Sequence, residues 1–292
     1  PEGSVVPVRN VLMTAENTCP KCFWVTNYVE TLLVQVWYPC TVATISRENK
    51  KVITAALRRS GSVQAPDFML HDFGFRGSTS VESASIGGAA HLVNFSGTDT
   101  MAALVLLREH YAADMAGFSI PAAEHSTITS WGDTPEDEEA AYRNMLKQFP
   151  KGLVAVVSDS WDIRRAVRLC GGKLRNEVLA REGRLVVRPD SGDPRKVVPD
   201  VLDLLGERFG SEPNLSGYRV LHDKVRVIQG DGITRESIPE ILDAVMDRGW
   251  SAENLAFGSG GGLLQQCDRD TLQFAFKCAA IRVQDEWRDV YK

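Results

Sequence analysis

"RLVVRPDSGDP", residues 184–194, runs an apolar stretch straight into an arginine, two acids and a Gly-Asp-Pro turn. Leu185, Val186 and Val187 make a run rich in β-branching and too short for a helix, the pattern of a strand covered on both faces. Arg188 and Asp190 then fall at its carboxyl end. In parallel α/β folds that end builds the ligand site, because loop N–H groups and helix N-termini converge there. Asp193 and Pro194 read as the N-cap and first position of a helix over "RKVVPDVLDLLGERF", residues 195–209.

The same unit recurs along the chain. "FMLHDFGFRG" (68–77) reads as a strand ending in Phe73, Phe75 and Arg76, and "HLVNFSGTDT" (91–100) as one ending in Thr98 and Asp99 before the helix "MAALVLLREHY" (101–111). "GFSIPAAEHSTIT" (117–129) gives a short strand leading to Glu124 and His125, and "LVAVVSDSWD" (153–162) ends in Ser158, Asp159 and Asp162. "VRVIQGDGI" (225–233) ends in Gly230 and Asp231, and "NLAFGSGGGLLQ" (254–265) in a glycine cluster. Seven such strands predict an α/β fold with a closed or nearly closed barrel of parallel strands rather than two separate sheets. Ahead of them lie an extended piece, Val5 to Ala15, and a helical region from Lys21 to Arg59 broken near Pro39. The expected organisation is an N-terminal segment, 1–66, packing on a barrel domain, 67–292.

The 292 residues are 43% hydrophobic, enough for a large core. A net charge of -5 and no basic tail argue against nucleic acid or an anionic membrane as a partner, so any anion site must be local. No run of eighteen apolar residues is present, which argues against a membrane span and predicts a cytoplasmic location. Six cysteines are too sparse for a disulfide scaffold, and "CPKC" (19–22) lacks the second ligand pair of a structural zinc site, so reduced thiols are expected. The chain starts at Pro1 and stops at "EWRDVYK", and it reads as a fragment.

Arg76, Asp99, His125, Asp162, Arg188, Asp190, Asp231 and Gly260 thus share one end of successive strands. Each alone has an ordinary role, since acids cap helices and glycines turn chains. Their common position marks them as a set. "GSGGG" (258–262) lets backbone approach an anion closely, yet it has neither dinucleotide-fingerprint nor Walker spacing. Arg76, Arg188 and Arg269 offer forked donors to phosphate oxygens, while Asp190 and Asp231 suit sugar hydroxyls or a hydrated magnesium ion. The combination points to a phosphorylated sugar. No lysine closes a strand, which weakens a Schiff-base reading.

The segments "LHDFGFRG", "HLVNFSGTDT", "PAAEHSTITSWG", "VVSDSWD", "VRPDSGDP", "VIQGDG" and "AFGSGGGLLQ" resemble the type II phosphoribosyltransferases, and among them those that use nicotinamide; the resemblance runs from about Val11 to Lys292. It implies a barrel-like α/β core, a homodimer with sites at the subunit interface, and synthesis of nicotinamide mononucleotide and pyrophosphate from nicotinamide and phosphoribosyl pyrophosphate. Carried over by position, it sets Phe73 against the nicotinamide ring, with Asp99, Ser119 and Ser158 on the carboxamide side. It brings Arg76, His125 and Arg269 to the pyrophosphate, and Arg188, Gly230, Asp190 and Asp231 to the ribose and Mg2+, with Asp190 meeting the metal directly or through water. Gly260 and Gly261 would meet the 5-phosphate. His125 matches the histidine that the family phosphorylates with ATP, and Asp162 its orienting carboxylate. The family's N-terminal aromatic segment and C-terminal lysines have no counterpart in this stretch, which leaves Phe73 to stack alone. The alternatives are a nicotinate phosphoribosyltransferase, which would want a cation where Asp99 stands, and a non-catalytic binding or signalling form.

Overall fold

The structure is a computed structural model that describes residues 3–291. Its helices are α1 (Val25–Leu33), α2 (Trp37–Arg59), α3 (Val81–His91), α4 (Met101–Tyr111), α5 (His125–Thr129), α6 (Pro135–Gln148), α7 (Ile163–Cys170), α8 (Arg175–Ala180), α9 (Pro194–Phe209), α10 (Ser237–Asp247) and α11 (Gly261–Leu264). The strands are β1 (Leu70–Asp72), β2 (Gly97–Thr98), β3 (Lys151–Val157), β4 (Glu182–Arg188), β5 (Ser211–Pro213), β6 (Arg219–Leu221), β7 (Val225–Gln229), β8 (Leu255–Ser259), β9 (Ala280–Val283) and β10 (Glu286–Asp289).

Six strands form one parallel sheet in the order β2-β1-β8-β7-β4-β3. Both edges of that sheet meet one irregular segment. Phe118 bridges Gly97 of β2, and Ala122 bridges Ala155 of β3, both in parallel. The ring therefore closes, and its order follows the chain: β1, β2, residues 118–123, β3, β4, β7, β8 and back to β1. The seven-membered barrel expected from the sequence is present, but its third wall is held by bridge pairs instead of a regular strand. Pro121 explains this, because it has no N–H to give to a ladder.

Alternation along each strand separates two cores. Leu185 and Val187 of β4 face outward with Val154, Val156, Val225, Val227, Leu255 and Phe257, and the helices α6, α7, α9 and α10 bury their apolar faces against them. Each fully buried Val or Leu contributes about 1.5–3 kcal/mol by leaving water. The inward residues Ala155, Val186 and Ile228 pack with Ile120, Ala256 and Phe73, so nearly every wall sends one side chain into the barrel. Two steps along β4 from Val186, Arg188 emerges at the mouth.

α9 starts as the sequence predicts, with Asp193 as N-cap accepting from Arg195 N and Pro194 in the first turn. Two boundaries differ. The N-terminal helical region breaks at a 3-10 turn, Val34–Val36, while Pro39 sits in the first turn of α2, where its missing N–H has no intrahelical acceptor to lose. The stretch 91–96 is not a strand. His91 ends α3, with Nδ1 2.8 Å from the Ser46 hydroxyl and Nε2 3.3 Å from the Leu70 carbonyl, and its ring stacks on Phe95. Only Gly97 and Thr98 are left to pair with β1. Among the described residues no helix is long and apolar enough to cross a membrane.

Candidate active site

The carboxyl ends of β3 and β4 bring four polar side chains together. Asp159, just beyond β3, is 6% exposed and accepts at Oδ2 from the Asp190 N–H (2.8 Å) and the Ser191 hydroxyl (2.6 Å). Asp190 Oδ2 then lies 3.6 Å from Arg188 Nη2 and 3.4 Å from His125 Nε2. His125 is the first residue of α5, which Glu124 caps in a reciprocal box with Thr127. Its Nδ1 is 3.0 Å from the Ser160 hydroxyl. Nε2 therefore faces two acceptor-only carboxylates, and Nδ1 faces a hydroxyl that can donate or accept. Two polar atoms here are buried without a hydrogen-bond partner: Asp159 Oδ1, 3.8 Å from His125 Nε2, and Arg188 Nε.

A second group lies across the mouth, after β1 and β2. The Phe73 N–H donates to Ser259 O at 2.9 Å, and its ring packs on Ala155, Val186 and Ile228 and against Gly258, where any Cβ would overlap it. Asp99 accepts a hydrogen bond from the Ser119 hydroxyl, and Ser119 belongs to the segment that closes the ring. Gly230 connects the two groups. A Cβ built there would stand 3.4 Å from the Phe73 ring and 3.7 Å from Asp190 Oδ1, so the apolar and the charged halves of the site share one wall.

After β7 and β8 the backbone dominates. Asp231 is exposed, and its carbonyl accepts from Gln229 Nε2 at 2.8 Å. Gly260 caps α11, whose first amides, including that of Gly261, have no intrahelical acceptor. Gly262 packs so closely on the Ile233 carbonyl that a Cβ would overlap it, which seats the glycine turn on the neighbouring loop.

Several expected site residues stand elsewhere. Asp162 N-caps α7, its Oδ1 accepting from Arg165 N at 2.6 Å; the carboxylates beside His125 are those of Asp159 and Asp190. The capping position explains the difference, since a strand-end acid directly before a helix finds its nearest donors in that helix. Ser158 is buried with its hydroxyl on Val156 O at 2.7 Å. Arg269 pairs with its neighbour Asp270 at 2.9 Å, and Arg76 is exposed in a 3-10 turn with no side-chain partner among the described residues. Asp159 and Gly258 were read from the sequence only as a strand end and as part of the glycine turn, and Ser160 was given no role. The rule that selected Asp190, an acid directly after an apolar strand, applies equally to Asp159.

Residues 68–292 match the nicotinate phosphoribosyltransferase (NAPRTase) family, and the chain belongs to it. It is 57% identical over 298 residues to a nicotinamide phosphoribosyltransferase of Xanthomonas campestris pv. campestris, covering 100% of this chain and 63% of that protein. A nicotinamide phosphoribosyltransferase of Acinetobacter baylyi is 35% identical over 314 residues, covering 100% of this chain and 62% of that protein. The chain thus spans somewhat under two thirds of the length of these relatives. Among solved structures, a putative nicotinate phosphoribosyltransferase from Saccharomyces cerevisiae superposes with a TM-score of 0.52 at 14% identity, over 79% of this chain and 50% of that one. A nicotinate phosphoribosyltransferase from Vibrio cholerae gives 0.51 at 19%, over 78% and 48%. These two likenesses bear on the fold.

Proposed function

We propose that the protein moves the phosphoribosyl group of phosphoribosyl pyrophosphate onto nicotinamide, forming nicotinamide mononucleotide and pyrophosphate in cytoplasmic NAD salvage. The observation that carries this reading is the Ser119–Asp99 pair beside Phe73. A carboxylate held by a hydroxyl accepts a hydrogen bond from a carboxamide NH2 and repels a carboxylate. The family description and the solved neighbours favour nicotinate as the rival base. Asp99 argues against it, because nicotinate would place two negative charges together.

The pyridine nitrogen is unprotonated at neutral pH, so no residue need act as a base toward it. Phe73 and Asp99 would hold the ring in line with the anomeric carbon, which turns a bimolecular attack into a positioned one. The barrier lies in pyrophosphate departure, which builds negative charge on the leaving group. Arg188, whose buried Nε lacks a partner, is suited to stabilise that charge, with Arg76 and Arg269 supplying further donors from outside. Asp231 would take the ribose hydroxyls, Gly230 the wall beside them, and the Gly260–Gly261 amides the 5-phosphate.

Asp190 Oδ2 and the orphaned Asp159 Oδ1 both approach His125 Nε2, and these two carboxylate oxygens would be the ligands of a hard divalent cation, with water completing its shell. Mg2+ bound there would neutralise the leaving group's charge. His125 Nε2, between those carboxylates, is the candidate acceptor of the γ-phosphoryl group of ATP: with the ring proton on Nδ1 toward Ser160, the Nε2 lone pair would attack phosphorus and ADP would leave, and the phosphorylated imidazole would add negative charge next to the metal and tune binding. The homodimer fits the exposed apolar side chains of Phe23, Trp24, Tyr28 and Leu32 at and around α1. The test is mass-spectrometric detection of nicotinamide mononucleotide from nicotinamide, phosphoribosyl pyrophosphate and magnesium, with nicotinate in parallel. Product from nicotinate alone would sink the proposal.

A further inference from the structure

We propose that Asp72 is the positioning residue that fixes Phe73 and Asp99 relative to one another, through a single buried carboxylate that clamps both loops of the ring pocket; this rests on the reading of those two residues as nicotinamide contacts.

Asp72 is the last residue of β1 and is 0% exposed. Its Oδ1 accepts from the Gly74 N–H at 2.7 Å, a side-chain turn that spans a single residue, Phe73. Across the pairing of β1 with β2, Asp72 stands opposite Thr98. The Thr98 hydroxyl donates to Asp72 Oδ2 at 3.3 Å and accepts from the Thr100 N–H at 2.9 Å, a second turn that spans only Asp99. The Asp99 N–H itself donates to the Asp72 carbonyl at 2.9 Å. A continuous row results: Gly74 N–H, carboxylate, Thr98 hydroxyl, Thr100 N–H. The aromatic that packs at the mouth and the acid held by Ser119 are each the one residue looped out by an end of this row.

The row is a poor device for stability alone. Asp72 has no salt bridge with a Lys or Arg among the described residues, and burial pushes its carboxyl pKa up. A buried charge without a cation is costly, and its hydrogen bonds only offset that cost. What they add is geometry. Gly88 of α3 makes room for the arrangement, since a Cβ there would lie 3.1 Å from Asp72 Oδ2 and 2.8 Å from the Ala103 Cβ.

The experiment compares Asp72→Asn, Thr98→Val and the double variant in the complete protein, by amide hydrogen exchange and by steady-state kinetics. Thr98→Val should speed exchange at Gly74 as well as at Thr100, although it alters only the second loop. Each single variant should raise the nicotinamide KM about tenfold, the effect of one hydrogen bond to a charged group. The phosphoribosyl pyrophosphate KM should stay within about twofold, and the double variant should be no worse than the worse single, because both cut the same row. Exchange that changes only in the mutated loop, or equal rises in both KM values, would overturn the clamp. If Asp72→Asn does not fold, Thr98→Val decides through Gly74. A wild type that makes no nicotinamide mononucleotide would remove the proposed function, and the exchange arm would still judge the clamp.

Discussion

Asp159 fixes the backbone of Asp190 with one oxygen, Oδ2 to the Asp190 N–H at 2.8 Å, while its buried second oxygen turns toward His125 without a hydrogen-bond partner. The end of β3 therefore sets the position of the acid that follows β4, and one carboxylate both supports the site and belongs to it.

Asp159→Asn retains the shape and removes the charge. It should raise the magnesium concentration needed for half-maximal turnover by about tenfold, the loss from weakening a charged interaction in a shielded site. Melting temperature should fall by only a few degrees. ATP should leave acid-labile phosphate on the protein, absent in His125→Ala and diminished in Asp159→Asn. An unchanged magnesium dependence in a folded Asp159→Asn variant would leave this acid as scaffold only.

Asp99→Asn should narrow the ratio of kcat/KM for nicotinamide over nicotinate. Charge repulsion plus a lost hydrogen bond in a shielded pocket amounts to several kcal/mol, so the ratio should shrink by about a hundredfold or more. Ser119→Ala frees the Asp99 carboxylate from its donor and should move the ratio the same way by less. Competition assays with both bases measure it, and equal ratios in wild type and Asp99→Asn would show that selectivity lies elsewhere.

Two glycines should respond in opposite ways. A Cβ at Gly258 overlaps the Phe73 ring, whereas one at Gly261 meets nothing within 4 Å. Gly258→Ala must displace the ring and should raise the nicotinamide KM at least tenfold, since a displaced contact loses its positioning. Gly261→Ala should keep the fold and the nicotinamide KM while weakening phosphoribosyl pyrophosphate, because its cost is paid only when a phosphate approaches the backbone. Matching kinetics for the two variants would refute the division of the mouth.

His91 makes a prediction about acid. Full burial lowers its pKa from 6.5 to about 4, against weaker upward pulls from the Leu70 and Gly97 backbone. Above pH 6.5 the ring is neutral both folded and unfolded, and its contacts with Ser46 and Leu70 count in full. As pH falls from 6.5 to about 4 the unfolded chain takes up a proton that the folded one refuses, so stability drops, by about 3 kcal/mol over that window. Urea midpoints across it should fall more steeply for wild type than for His91→Gln. Parallel curves would exclude His91 as the source.

How much of this was legible in the sequence depended on the range of the forces involved. β3, β4, β7 and β8 were readable because continuous Val, Leu and Ile runs carry their own signal. β2 was misplaced because "HLVNF" is equally apolar as the end of a helix, and the Ser46 hydroxyl that holds His91 there is 45 residues away. Asp159 was read as a strand end like Asp190 but given no role in the site; its part there rests on its hydrogen bond to the Asp190 N–H, a contact across the sheet that linear spacing does not encode. Asp162 was assigned to His125 by resemblance, and its helix-capping geometry became visible only with the turn built. Phe73 and Asp99 were picked out, while the row through Asp72 and Thr98 that joins them depends on strand register.

The seam at residues 118–123 carries a mechanical consequence. It is joined to β2 by the Phe118–Gly97 bridge and to β3 by the Ala122–Ala155 bridge, so the wall could open there without unzipping a regular ladder. Ser119 sits inside that seam with its hydroxyl on Asp99. If Asp99 selects the base as proposed, each opening of the wall would release the grip on it, so heat or denaturant should erode discrimination between nicotinamide and nicotinate before it unfolds the protein.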